Sequence, residues 1–261
     1  MIGAVDTLPV APPAPRAAPV GAPPRDSLTL VDLLLRDRAG TLARIRAGAD
    51  PRPILATMVA TIAVSMAIVG AALGSYRGGV QIAYAAIKLP LVLLGAAALS
   101  APTLSAIGAA LGRRSRLAAD LTLVMSAVAF GALLLAATTP LILLGHAIEL
   151  DYHRMIMGTV IAFGVAGCAT LRMIVQGVTA EHAPGWRGAI AGLCCVFALV
   201  GGQLAWAMRP YLVRPRAPEA PFLRAVEGSL FDAIGTSLRS ARGIYTRDAA
   251  PLGDAPQGDA P

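Results

Sequence analysis

A chain of 261 residues with 56% hydrophobic and only 14% charged side chains lies well below the charged quarter of ordinary soluble domains, and no water-soluble core of this size needs so much apolar surface. The formal charge of +7 is almost all arginine, with Lys88 the only lysine, and it sits in segments flanking apolar stretches; that placement suits anionic lipid headgroups and argues against nucleic acid as a partner. Cys168, Cys194 and Cys195 all fall inside apolar stretches without metal-finger spacing, which argues against a disulfide framework or a structural zinc site.

Residues 1–26 hold seven prolines between Pro9 and Pro24 and read as an extended, disordered arm, because proline removes backbone donors and blocks helix propagation. The arm has no basic n-region and its apolar residues are interrupted by proline, so it is not a secretory signal; the first true span is expected to direct insertion. Residues 27–52 form an amphipathic juxtamembrane segment. Ser27 can cap its start, Leu30, Leu34, Leu42 and Ile45 share an approximate face, Arg36, Arg38, Arg44 and Arg46 supply charge, and a break is expected near Gly40. The segment either lies in the headgroup layer, the reading the sequence favours slightly, or covers the base of a bundle as a helix pair.

Five apolar spans follow at 53–76, 89–112, 121–147, 155–172 and 188–208, and no Asp or Glu falls inside any of them. A hydrocarbon core about 30 Å thick needs roughly 20 apolar residues at helical rise, and lipid offers no partner to a peptide group, so each span must be a helix. The fold class is therefore all-α: a polytopic transmembrane helix bundle of about five spans with flanking amphipathic helices. The third span is long and contains Pro140, so it is open to a tilt, a kink or a re-entrant end. Absence of an acid from the spans counts against an ion-coupled transporter.

Small residues crowd these spans. GAALG occurs at Gly70 to Gly74 and again at Gly108 to Gly112, and Gly188 with Gly192 gives a third small-xxx-small pair. Such faces let helix backbones approach closely, which suits packing within the bundle, a homodimer seam or contact with another membrane protein. Chance occurrence in alanine-rich helices is the alternative.

Two loops carry candidate sites. In the first, Arg77 and Lys88 flank a Gly78–Gly79 turn near Tyr76 and Tyr84; the two cations could hold an anion or a lipid headgroup, or serve as snorkelling anchors. In the second, His146, Glu149, Asp151 and His153 are close enough in sequence to form a His/carboxylate metal set if a helix continues through them, although the spacing matches no established motif and a connecting loop needs polar residues in any case. No cofactor is implied, and no nucleophile with a positioned base or phosphate-cradling glycine loop supports enzyme activity.

With the N-terminus in the cytoplasm, ten basic residues lie on that side and six on the other, the GRRSR loop at 112–116 being the strongest vote. Five spans then place the C-terminus outside, beside Arg209, Arg214 and Arg216, so an even span number stays open. Residues 210–245 read as a proline-broken connector and a second amphipathic helix with Phe222, Val226, Leu230, Ile234 and Leu238 on one stripe, and residues 246–261 as a disordered tail.

The stretch GSYRGGVQIAYAAIKLPLVLL, preceded by LLLRDRAGTLARIRAGAD and followed after the last span by GGQLAWAMRPYL, resembles a group of uncharacterised bacterial inner-membrane proteins. The layout of five spans after a cytoplasmic N-terminal segment is similar to that of the Yip1-like membrane proteins. The resemblance implies a bacterial inner-membrane location and assigns no residue a role. Expectations of function are three: a non-catalytic scaffold or organising subunit, a transporter or lipid-handling permease using Arg77 and Lys88, and an extracytoplasmic metal-dependent enzyme using His146, Glu149 and His153.

Overall fold

The computed structural model describes residues 27–48, 51–113, 116–180 and 185–209, together with Tyr211 and Phe222. The expected N-terminal arm, most of the 210–245 connector and helix, and the 246–261 tail lie outside the described residues. Among the described residues eight helices run in order, α1 (Ser27–Arg36), α2 (Arg38–Arg46), α3 (Pro51–Gly74), α4 (Val80–Ala110), α5 (Leu117–Ala137), α6 (Thr139–Ala147), α7 (Tyr152–Thr179) and α8 (Trp186–Ala207), and there is no strand. Taking α5 and α6 as one crossing, five helices are long and apolar enough to cross a membrane, and the molecule is an all-α bundle of five spans.

Consecutive crossings run antiparallel, which gives the bundle two chemically distinct ends. At the basic end, the α2–α3 junction, the α4–α5 loop and the start of α8 meet: Gly48 lies beside the Arg116 guanidinium, and Gly185 and Gly188 lie against Leu111. At the opposite, tyrosine-rich end, Tyr76 O–H donates to the Leu150 carbonyl at 3.1 Å, and the Tyr76 ring stands 6.4 Å from that of Tyr152.

The N-terminal pair covers the bundle rather than lying on lipid. Leu30, Leu34, Leu42 and Ile45 are all buried, α1 against α3 and α5 and α2 against α5. Each such side chain taken out of water contributes about 1.5–3 kcal/mol, enough to turn the apolar face inward. The break falls at Asp37, not at Gly40. Asp37 caps α2 by accepting the Gly40 N–H at 2.8 Å, and a Cβ on Gly40 would stand 2.0 Å from the Asp37 carboxylate, so glycine there makes room for the cap.

The middle of α5 is the axis of the molecule. From Thr122 to Ala132 every residue is buried, surrounded by α1 and α2, α3, α4 and α7, so this helix can be apolar all round without facing lipid. Thr138 ends α5, and Pro140 enters the first turn of α6, where its missing N–H has no intrahelical acceptor to lose. The expected irregularity near Pro140 is thus a short break between two stacked helices. On α7, exposed Arg172 and Arg154 bracket Met155–Leu171, and these 17 residues rise about 25 Å at 1.5 Å each, close to a hydrocarbon thickness.

The small-residue faces divide in two. A Cβ on Gly70 would lie 2.3 Å from the Ala85 carbonyl oxygen, and one on Gly74 2.5 Å from that of Gln81, so α3 and α4 touch backbone to backbone. Gly192 receives Ile107 of α4 and Gly188 receives Leu111, which joins α8 to α4. A homodimer seam cannot use these two faces, because neighbouring helices of the same chain occupy them. Gly108 and Gly112 instead form a helix end: Gly112 has φ +85, its N–H and that of Arg113 bond back to the carbonyls of Ala109 (3.1 Å) and Gly108 (2.8 Å), and this is a Schellman motif.

Candidate functional site

Helix α4 begins at Val80, nine residues before the expected span. Gly79 at φ +62 makes the turn, and Lys88, expected at the mouth of a span, stands two turns inside the helix with 0% exposure. Its Nζ lies 5.1 Å from the centre of the Phe222 ring, within cation–π range, and Tyr84 meets the same ring edge-on. Arg77 stays on the loop, half-buried. The two cations therefore occupy different depths and do not form one clasp. Beside them, Gln81 Nε2 donates to the Tyr211 carbonyl at 3.4 Å and Tyr211 O–H to that of Ala205 at 3.0 Å; burial pushes the Tyr211 phenol up to about 12.

The second loop does not continue a helix through its polar residues. Helix α6 ends in another Schellman motif, with Glu149 left-handed at φ 53 and the Leu150 N–H on the Gly145 carbonyl at 2.9 Å. His146 and Glu149 thus lose the shared face that a metal set requires. Asp151 caps α7, accepting the Arg154 N–H at 3.0 Å and pairing with its guanidinium at 3.1 Å. That backbone bond, with the Arg154 charge, holds the Asp151 carboxyl below its usual range. His153 stacks edge-on against Tyr152. His146 Nδ1 is 3.1 Å from Ser75 Oγ, and the Ser75 hydroxyl is also 2.8 Å from the Ala72 carbonyl. The Tyr76 ring lies 5.0 Å from the imidazole. His146 ties α6 to the end of α3, and among the described residues no group of three His, Cys, Asp or Glu could hold a metal ion.

Sequence reasoning missed a buried ionic site at the basic end. Arg113 Nη2 donates to Asp120 Oδ1 at 2.6 Å, with side chains 3% and 2% exposed, and Ser105 Oγ donates to Asp120 Oδ2, also at 2.6 Å. Gly108 leaves room for the Arg113 side chain to lie along α4. The GRRSR loop therefore does have an acidic companion, one residue outside the charge-free window. A signal existed: Asp120 is the sole acidic residue between Asp50 and Glu149.

An apolar cavity of about 310 Å³ was equally invisible in sequence. It lies between α5, α7 and α8 with buried Val128 and Ala132 as its floor and exposed Phe163, Leu171, Cys194 and Ala198 at its rim. Helix α7 packs on α5 and α8 on α4, while α7 and α8 barely touch, so the cavity opens sideways as a groove. Leu93 and Phe163 also line a second apolar cavity of about 200 Å³ that reaches Tyr211. Comparison with protein-family models, curated proteins and solved structures finds no match to this chain.

Proposed function

We propose that the protein is a non-catalytic integral membrane protein, a scaffold or organising subunit of a bacterial inner membrane with its N-terminus in the cytoplasm. The observation that carries this reading is the outward surface of α7 and α8: only 17% of the most apolar window of each is buried, against 44% for α3. Two of five crossings thus present most of their surface to the surroundings, where a membrane partner or a second copy can pack. The polar groups support the same reading, since Arg113, Asp120 and His146 join elements of this chain to one another and Asp151 caps α7. The arginine excess on the N-terminal side supports an inside N-terminus, and the preference for arginine over lysine is a compositional hint of a bacterial source.

Cys168 is exposed on α7 and supplies the test. With Cys194 and Cys195 replaced by serine, an apolar bis-maleimide applied to intact membranes should give one discrete adduct that Cys168→Ser removes; no discrete adduct would contradict the scaffold. A second reading, a lipid-handling permease, is favoured by the sideways apolar groove. Purified protein that accelerates transfer of a fluorescent phospholipid across vesicle bilayers would put the permease in place of the scaffold.

A further inference from the structure

The chain that leaves α8 comes back to α4 at two points. Gln81, Tyr84 and Lys88 stand at i, i+3 and i+7, one face of that helix. Gln81 Nε2 donates to the Tyr211 carbonyl at 3.4 Å, while the Phe222 ring has the Lys88 ammonium 5.1 Å from its centre and meets the Tyr84 ring edge-on at 5.1 Å. Gln81 and Lys88 are about 10 Å apart at helical rise, so the returning chain grips the first turns of α4 at two levels.

Tyr211 is also a wall of the apolar cavity of about 200 Å³, beside Leu89, Val92 and Phe163, and its O–H reaches back to the Ala205 carbonyl of α8 at 3.0 Å. A Cβ on Gly74 would lie 2.5 Å from the Gln81 carbonyl oxygen, which sets Gln81, and the Tyr211 backbone it holds, level with the last residue of α3. Tyr211 therefore bounds the cavity toward the tyrosine-rich end. The helices beneath are held more firmly than this return. Backbone contact at Gly70 and Gly74 locks α3 to α4, whereas the printed contacts of the return are a long neutral hydrogen bond, a cation–π contact and an aromatic pair, each a weak interaction by itself. An element held in this way opens locally before the bundle unfolds. Lys88 can follow the opening, because its long stem lets the ammonium reach toward the headgroups once it is uncovered.

We propose that the Gln81–Tyr84–Lys88 face of α4 is the docking surface for the chain beyond α8, and that Tyr211 and Phe222 form a latch on it that opens as a local unit, uncovering the Lys88 amine and one wall of the cavity. The latch stands apart from the scaffold role and from lipid transfer, since its contacts lie within this chain.

Lys88 is the one lysine in the chain, so an amine-directed reagent reports on it without a competing side chain. Full-length protein in mild detergent is treated with N-hydroxysuccinimidyl acetate, and acetylation of the Lys88 peptide is followed by mass spectrometry. The wild type should react far more slowly than a free lysine peptide in the same micelles. Phe222→Ala should speed the reaction by about 30-fold, the shift in open population that loss of a desolvated cation–π contact produces, and Tyr84→Ala by about two- to ten-fold, from loss of an aromatic pair. Unchanged helicity and elution would show that the bundle is kept; should Phe222→Ala lose either, Phe222→Leu, which keeps apolar bulk without the ring, should change the rate in the same direction. With Cys168, Cys194 and Cys195 replaced by serine, Thr159→Cys on the α7 side of the cavity should gain reactivity toward a charged thiosulfonate when Phe222→Ala is added. Acetylation of wild-type Lys88 at the rate of the free peptide, no acceleration in either Phe222 variant, or acceleration at Lys88 with Thr159→Cys unaltered would each overturn the proposal.

Discussion

Replacing Asp120 with alanine is expected to be among the most destabilising single changes in the chain. Arg113 and Asp120 sit 2.6 Å apart at 3% and 2% exposure, and Asp120 also takes the Ser105 hydroxyl proton at 2.6 Å. Removing the carboxylate leaves the Arg113 guanidinium buried without its counter-charge, which costs about 3–5 kcal/mol. Ser105→Ala removes one hydrogen bond to a charged group and should cost about 1.5–3 kcal/mol. The double variant Arg113→Met/Asp120→Leu takes both charges away and should recover most of the loss, since a packed apolar pair of similar volume is often neutral or better than a buried ion pair. Reversible unfolding in mixed micelles, followed by far-ultraviolet circular dichroism, supplies the three differences. If Asp120→Ala costs under about 1 kcal/mol, the ordinary range for an exposed pair, or if the double variant is worse than either single one, the pair does not close the base of the bundle as described.

Other changes should separate in the same assay. Gly70→Ala pushes a methyl to 2.3 Å from the Ala85 carbonyl oxygen, where only a shift of α3 against α4 gives relief, so a loss of about 1–3 kcal/mol is expected; Gly167→Ala, into open space, should be neutral or stabilising. Glu149→Gly relieves a left-handed residue at φ 53 and should stabilise by about 1 kcal/mol, whereas Glu149→Val should do the reverse. Because the Asp151 carboxyl is held below its usual range, its contribution is complete above the unfolded value, about 3.9, and is lost as pH falls through the folded value. The unfolding midpoint should therefore drop below about pH 4, and less so in Asp151→Asn; identical acid profiles would contradict the assigned cap.

The crossings were legible in sequence because lipid imposes one simple demand, an uninterrupted apolar helix, and the charge-free windows meet it. The same criterion erred at its edges. Lys88 ended a window in sequence yet lies buried two turns inside α4, and Arg172 ended another although α7 continues to Thr179; a charged side chain marks where lipid stops, not where a helix does. Leu30, Leu34, Leu42 and Ile45 were recognisable as one face, but what that face touches is a tertiary fact, and α3 and α5 receive it. The Arg113–Asp120 pair bridges the break between α4 and α5, so no single helix relates its two members. A groove between α7 and α8 depends on which helices fail to touch, which composition does not record.

The claim on which the account rests is the arrangement of five crossings with a basic end and a tyrosine-rich end on opposite faces of a membrane. Single cysteines placed at Ala47, Arg77 and Glu149 in a background lacking Cys168, Cys194 and Cys195 test it, using a membrane-impermeant maleimide on intact cells. Labelling is expected at positions 77 and 149, with none at 47 until the membrane is opened. Labelling at 47 together with either of the others before opening, or a different response at 77 and 149, would contradict it.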